Sequence, residues 1–234
     1  NKTVLVRADL NIPMSNGNIS DQSRVERVIP TINFLKSSGA KIVICSHLGR
    51  PNGKYNKNYT LKPLVEILSN ILETNVRFSN SCLGQEALEI KTSLKAGEIL
   101  LLENVRFHEE EINNSLSFAK KLSEGCDLFV NDAFSCSHRA HASVCKITEF
   151  LPSFAGLQLE TEINALKKVT TEIKKPITCI IGGSKISTKI GIIKNLISKF
   201  DNIIIVGGMA NNIIEYKGNQ IGKSIKEENC DLMI

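Results

Sequence analysis

Arg24-Val25-Glu26-Arg27-Val28-Ile29-Pro30-Thr31-Ile32-Asn33-Phe34-Leu35-Lys36-Ser37-Ser38, then Gly39, then Lys41-Ile42-Val43-Ile44-Cys45-Ser46, is the run that decides the fold class. Val25, Val28, Ile29, Ile32 and Leu35 fall on one face of a helix. Gly39 is a helix stop, and an almost unbroken apolar segment follows it directly. Working outward, apolar runs of strand length recur at Thr3 to Ala8, Ile99 to Leu102, Asp127 to Asn131, Ile177 to Ile181 and Ile203 to Val206, with amphipathic stretches between them. These runs are near-continuously apolar rather than alternating, as parallel strands covered on both faces must be. The expectation is an α/β chain: a three-layer αβα sandwich around a parallel sheet with right-handed crossovers. The beginning of a second, Rossmann-like α/β domain is expected to follow it.

The boundary is expected near residues 155 to 176. Leu151-Pro152-Ser153-Phe154-Ala155-Gly156 closes the first set of units, giving a domain over 1–156. Leu159 to Lys174 reads as one amphipathic helix, with Ile163, Leu166, Val169 and Ile173 three or four apart, inside an interdomain segment over 157–176. Pro176 ends it, because proline removes a donor and disfavours helix at the residue before it. The stretch 177–234 starts a new β-α-β series but is too short for an independent core of this type.

Bulk composition narrows the function. The lysines behind a net charge of +5 are scattered and only 5% of residues are aromatic, which argues against a nucleic-acid surface. No apolar run approaches the length of a membrane span. Seven cysteines, an odd number with no Cys-x-x-Cys pair, suit free thiols in a reducing cytosol. The chain lacks an initial methionine and enters a strand almost at once, so residues are expected upstream.

Arginine placement carries the chemistry. The chain prefers lysine, 22 to 7, yet Arg50, Arg106, Arg139 and Arg24 all stand in turns after apolar runs. In an open parallel sheet, ligands sit outside the carboxyl ends of the strands. Arginine's planar fork suits bidentate contact with phosphate or carboxylate. The expected ligand is therefore small and multiply anionic. Asp9 and Asn11 leave the first strand pointing the same way, while Leu10 and Ile12 point the other; they read either as ligand contacts or as an Asp-Asn-Pro turn ending at Pro13. In Ser46-His47-Leu48-Gly49-Arg50-Pro51, His47 shares its turn with Arg50, and Gly49 lets the backbone approach a ligand. His138 and His141 lack partners at zinc spacing, so no protein-held metal is expected. The run Glu109-Glu110-Glu111 reads as a solvated face. Gly182-Gly183-Ser184-Lys185-Ile186-Ser187-Thr188-Lys189 follows the fifth run and is expected to open a helix, offering free amides and two lysines to a phosphate. Val206-Gly207-Gly208 leaves the sixth run in the same way.

Together these segments resemble the phosphoglycerate kinases. Val6-Arg7-Ala8-Asp9-Leu10-Asn11-Ile12-Pro13, Ser46 to Gly53, Leu102-Glu103-Asn104-Val105-Arg106-Phe107-His108, Val130 to Ser143, and Gly182 to Lys189 match that family's motifs, in its order, across essentially the whole chain. The resemblance implies a two-domain hinge enzyme of glycolysis, cytoplasmic and monomeric. Such an enzyme passes a phosphoryl group between 1,3-bisphosphoglycerate and magnesium-bound ADP to give 3-phosphoglycerate and ATP. Carried over by motif, Asp9 and Asn11 would meet the hydroxyl and carboxylate region of the glycerate. His47 with Leu48 and Gly49, Arg50, Arg106 and Arg139 would hold its anionic groups. Arg24 would reach the transferring phosphoryl group. Lys185, Lys189, Gly207 and Gly208 would meet the nucleotide, with Lys185 also stabilising the moving group. The Leu159–Lys174 helix is the expected hinge element. The sequence departs from the family where three glycines usually stand at Val206-Gly207-Gly208. It also stops at Ile234, well short of the family's length, so the 234 residues alone are expected to bind the glycerate without turning it over.

Overall fold

The computed structural model describes residues 1–12, 14–15, 18–19, 21–228 and 230. Pro13 and Ile234, both named above, lie outside the described residues. In chain order the elements are β1 (Thr3–Arg7), β2 (Met14–Ser15), β3 (Asn18–Ile19), α1 (Ser23–Ser37), β4 (Lys41–Cys45), α2 (Leu64–Ile71), β5 (Val76–Ser79), α3 (Gln85–Ser93) and β6 (Ile99–Leu102). They continue as α4 (Glu109–Ile112), α5 (Leu116–Ser123), β7 (Leu128–Asn131), β8 (Ser153–Ala155), α6 (Leu157–Thr170), β9 (Thr178–Gly182), α7 (Ile190–Ile197), β10 (Asn202–Val206) and α8 (Gly208–Tyr216). The chain divides into two compact units, Asn1–Ile163 and Asn164–Ile234, so the division falls inside α6.

In the first unit six strands form one sheet in the order β5-β6-β4-β1-β7-β8. Every neighbouring pair is parallel, with Leu5 opposite Val43 on one side and Phe129 on the other. The two faces follow from the period of two along each strand. Val4, Val6, Ile42, Ile44 and Leu101 pack with Val25, Val28 and Ile32 of α1 and Leu64 and Leu68 of α2. Leu5, Val43, Leu100, Leu102 and Phe129 pack on the opposite side with Ala87 of α3 and Phe118 and Leu122 of α5. This is the expected three-layer sandwich, and burying each such side chain stabilises it by roughly 1.5–3 kcal/mol. Helix α1 hands the chain to β4 through Gly39, which sits at φ 69°. The Gly39 amide donates to Lys36 O and the Ala40 amide to Leu35 O, the Schellman pattern that satisfies the last carbonyls of a helix.

Three things differ from the sequence reading. Strands β5 and β8 and the small antiparallel pair β2–β3 were not expected. β5 and β8 are the two edges of the sheet, so Val76-Arg77-Phe78-Ser79 and Ser153-Phe154-Ala155 never acquire the fully apolar character of a central strand. Helix α6 runs from Leu157 to Thr170 rather than from Leu159 to Lys174. It stops before the proline acts, because the amides of Thr171 and Glu172 both turn onto Lys167 O.

The second unit pairs β9 with β10 in parallel, from Thr178 opposite Asn202 to Gly182 opposite Val206. Ile186, Ile193, Met209 and Cys230 form its buried cluster. Cys45, Cys82, Cys126, Cys136, Cys145 and Cys179 carry free thiols. Among the described residues, no helix is long and apolar enough to cross a membrane.

Candidate functional site

The carboxyl ends of β1, β4, β6 and β7 converge on a buried polar floor. Arg7, the last residue of β1, is fully buried. Its Nη1 donates to Ala8 O at 2.6 Å, its Nε to Ser143 Oγ at 2.9 Å, and its Nη2 lies 3.1 Å from His47 Nδ1. Ser46 accepts from the Leu10 amide and donates to Ala8 O, which joins the turns after β1 and β4. His47 and Leu48 are 3% exposed and belong to this floor. Burial, reinforced by the positive charges of Arg7, Arg106 and Arg139, holds the His47 imidazole far below its usual pKa.

The turn after β4 is built around Gly49, at φ 62°. A Cβ there would run into the ring of Tyr59, so both the backbone angle and the space require glycine. Asn11 Oδ1 accepts from the Gly49 amide at 2.8 Å, and Arg106 Nη1 donates to Gly49 O at 2.8 Å. Asn104 donates to Leu48 O and Tyr59 O while its own Oδ1 accepts from the Arg106 amide. Buried Glu103 accepts from the Leu61 and Asn104 amides and from Thr60 Oγ1, tying this turn to the segment before α2. The turn reading of the Asp9–Asn11 segment is present in the geometry. Leu10 and Ile12 are buried as the alternation requires, and Asp9 Oδ1 closes a turn by accepting from the Asn11 amide.

Arg106 is only 4% exposed, yet its Nε and Nη2 have no hydrogen-bond partner. Burial, then Arg139 and Arg7, pulls its pKa down. Burying donors of a cation without acceptors is costly. Arg106 also lines a cavity of about 450 Å³ whose wall includes Arg50, Arg139, His138 and His141. Three of the four arginines singled out in the sequence therefore meet at one cavity. The fourth, Arg24, lies on a separate cavity of about 280 Å³ with Asp9, Asp132 and Ser135. There its Nη1 pairs with Asp9 Oδ2 at 2.5 Å, and Ser135 Oγ donates to the same oxygen. In this structure Nη1 of Arg24 is thus held by a carboxylate, while the side chain remains exposed.

Sequence reasoning missed Arg7, Ser143, Ser135 and Asp132, and it misassigned Glu111. Glu109 and Glu110 are exposed as expected, but Glu111 is fully buried, so the acidic run is not one solvated face. Its oxygens accept from the Ser143 amide at 2.8 Å and Ser143 Oγ at 2.6 Å, and Nδ1 of His141 lies 3.7 Å away. Ile112 and the neighbouring run gave no signal for this. Asp9, His47 and Cys136 place a carboxylate oxygen, a ring nitrogen and a sulfur within 4.8 Å of one another. Arg24 and Ser135 already engage Asp9 Oδ2, and Arg7 engages His47 Nδ1, so the trio is built into the arginine floor rather than around a cation.

In the second unit the glycine segment after β9 does not open a helix directly. A turn over 187–189 intervenes, α7 starts at Ile190, and Lys189 is its N-cap. Lys185 is exposed and precedes the turn, so the two lysines do not share a helix face. Gly207 and Gly208 do feed a helix: Gly207, at φ 71°, is the N-cap of α8. The two glycine segments interlock. The Met209 amide donates to Gly183 O at 3.0 Å, and a Cβ on Gly207 or Gly208 would meet the backbone of Gly183 or Ser184 at 3.2 Å. Ser187 is held by Glu227 through its amide and hydroxyl, at 2.9 and 2.5 Å.

A family model described as phosphoglycerate kinase matches residues 1–233. A phosphoglycerate kinase of Borrelia garinii subsp. bavariensis is 47% identical over 226 residues, covering 97% of this chain and 58% of that protein. One from Wolbachia pipientis is 46% identical over 231 residues, covering 99% of this chain and 58% of its own length. The solved structure of phosphoglycerate kinase from Coxiella burnetii superposes with a TM-score of 0.89 at 39% identity, covering all of this chain and 59% of that one. The chain thus spans a little under three fifths of the length of the relatives that it matches.

Proposed function

The chain belongs to the phosphoglycerate kinase family, and from that premise we propose that the protein containing it transfers a phosphoryl group between 1,3-bisphosphoglycerate and magnesium-bound ADP, giving 3-phosphoglycerate and ATP. The observation that carries this reading is Arg106: a buried guanidinium with two unpaired nitrogens at an arginine- and histidine-lined cavity. A ligand with several anionic oxygens satisfies those donors. Arg50, Arg106 and Arg139 then hold its phosphate or carboxylate groups through charge-assisted hydrogen bonds. Asp9 and Asn11 take the hydroxyl and carboxylate region. His47, Leu48 and Gly49 form the floor and turn that fix this geometry.

Phosphoryl transfer asks for positioning and charge neutralisation rather than for an acid or base, because the attacking ADP oxygen is already anionic. Arg24, once released from Asp9, is the arginine for the moving group, and such a residue is worth on the order of 10³ to 10⁵ in rate. Lys185, Lys189, Gly207 and Gly208 serve the nucleotide phosphates in the second unit. Magnesium arrives with the nucleotide as part of the substrate. The segment 157–176 acts as the hinge between a glycerate-binding first domain and a nucleotide-binding second one. Free thiols and the family's habit favour a cytoplasmic monomer, without nucleic-acid or membrane partners.

Calorimetric titration with 3-phosphoglycerate tests the reading. Saturable binding that weakens in Arg50→Ala by about 1.5–3 kcal/mol, the scale of one charged hydrogen bond, is expected. No binding at millimolar ligand, in a protein whose first unit is folded, would remove the assignment.

A further inference from the structure

Glu111, Ser143, Arg7 and His47 come from four distant parts of the sequence and form one line of hydrogen bonds. The Glu111 carboxylate accepts from Ser143 Oγ at 2.6 Å, Ser143 Oγ accepts from Arg7 Nε at 2.9 Å, and Arg7 Nη2 lies 3.1 Å from His47 Nδ1. Glu111, Ser143 and Arg7 are all fully buried. Both Glu111 oxygens accept, the pattern of an ionised carboxylate, so one hydroxyl bridges a buried anion and a buried cation.

A guanidinium has donors and no acceptor, so in the Arg7–His47 contact Nδ1 must accept. An imidazolium carries N–H on both nitrogens and would set donor against donor there. The ring is therefore neutral, with its single proton on Nε2. The other groups around it point the same way. Burial and the charges of Arg7, Arg106, Arg139 and His141 all oppose a positive ring, while Cys136 Sγ lies 3.9 Å from Nδ1 and 4.0 Å from Nε2. Asp9 is the one nearby carboxylate of the cluster, and Arg24 and Ser135 already engage it.

We propose that Glu111, Ser143 and Arg7 are positioning residues that lock His47 as the neutral Nε2–H tautomer, so that it serves an anionic ligand as a hydrogen-bond donor without first taking up a proton. The role for a ligand rests on the glycerate-binding reading above; the tautomer does not. The consequence is that this histidine's contact with ligand is indifferent to pH where an ordinary histidine would switch.

Long-range nitrogen–proton NMR of histidine-labelled full-length protein, first without ligand, reads the tautomer directly. His47 is expected to show a bare Nδ1 and a proton-bearing Nε2, unchanged over about pH 5 to 8, where ordinary histidines titrate. In Ser143→Ala the signal is expected to become a tautomer mixture and to recover titration. A proton on Nδ1 in the parent protein, or titration of its ring near the ordinary value, overturns the proposal. So does an unchanged His47 signal in folded Ser143→Ala. If that variant does not fold, the parent spectrum still decides. Addition of 3-phosphoglycerate separates the two readings: the expected tautomer with no response at Nε2 upholds the positioning and sinks the ligand assignment.

Discussion

In the first unit β1 is buried along its whole length, and the turns after β1, β4 and β6 are tied together by side chains: Ser46 to Ala8, Asn11 to Gly49, Asn104 to Leu48, Arg106 to Gly49. In the second unit β9 and β10 alternate exposed and half-buried residues, and the turns after them meet mainly through glycine backbone. The contrast teaches that the strand-end turns of the two units are made rigid by different means. One uses buried polar side chains, whose loss leaves charges unpaired. The other uses the absence of side chains, and its lysines stay at the surface.

The contrast predicts a graded series. The largest effect belongs to Glu111→Ala, which strands Arg7 without its counter-charge: a loss of about 3–5 kcal/mol is expected, read as faster hydrogen exchange of the β1 and β4 amides in urea. If Glu227→Ala, which frees Ser187 in the second unit, costs that unit as much, the distinction fails. Next comes Arg106→Ala. Removing a buried guanidinium with two free donors should weaken 3-phosphoglycerate by about 3 kcal/mol, roughly a hundredfold, against about tenfold for exposed Arg50→Ala. Equal effects in titration would mean that burial adds nothing to the contact.

The third prediction concerns acid. The folded His47 stays neutral while the unfolded one takes up a proton near 6.5, so the unfolded state binds more protons below that pH. Its contribution is fully present above pH 6.5 and is lost as pH falls, by about 1.4 kcal/mol per pH unit or roughly 2 kcal/mol by about pH 5. His47→Gln should flatten that slope in the first unit, and an unchanged slope would place the acid sensitivity elsewhere. Gly207→Ala should cost the second unit about 1–2 kcal/mol, since φ 71° and a 3.2 Å approach to Gly183 O both exclude a Cβ. The smallest effect is Lys185→Ala, within about 0.5 kcal/mol of the parent in stability, as for an exposed side chain.

What the sequence made legible follows from where physics acts locally. Central strands announce themselves because both faces must be apolar, and Gly39 marks the end of α1 because its φ admits little else. The three arginines at the 450 Å³ cavity stood out because they broke the chain's own preference for lysine. The edge strands were silent because β5 is only half covered and β8 is exposed throughout. Glu111 was misread because a charged residue beside two exposed glutamates is ordinarily solvated, and its partners sit at positions 7 and 143. Only the fold brings those three together. The Gly182–Lys189 segment misled for a related reason: its glycines serve the neighbouring turn, not a helix that begins at Ile190.

Asp132 ties α6 to the loop after β7. Its Oδ1 accepts from the amides of Gln158 and Leu159, at 2.9 and 3.1 Å, and so caps the first turn of α6 from the segment that also carries Ser135 and Arg139. Gly156 packs so closely against that carboxylate that a Cβ would overlap it. Two backbone amides outside the arginine cavity are thereby wired to the loop that helps to form it. Their chemical shifts make a native gauge: any displacement of the Asn131–Arg139 loop is written into the resonances of Gln158 and Leu159, with no label placed in the site itself.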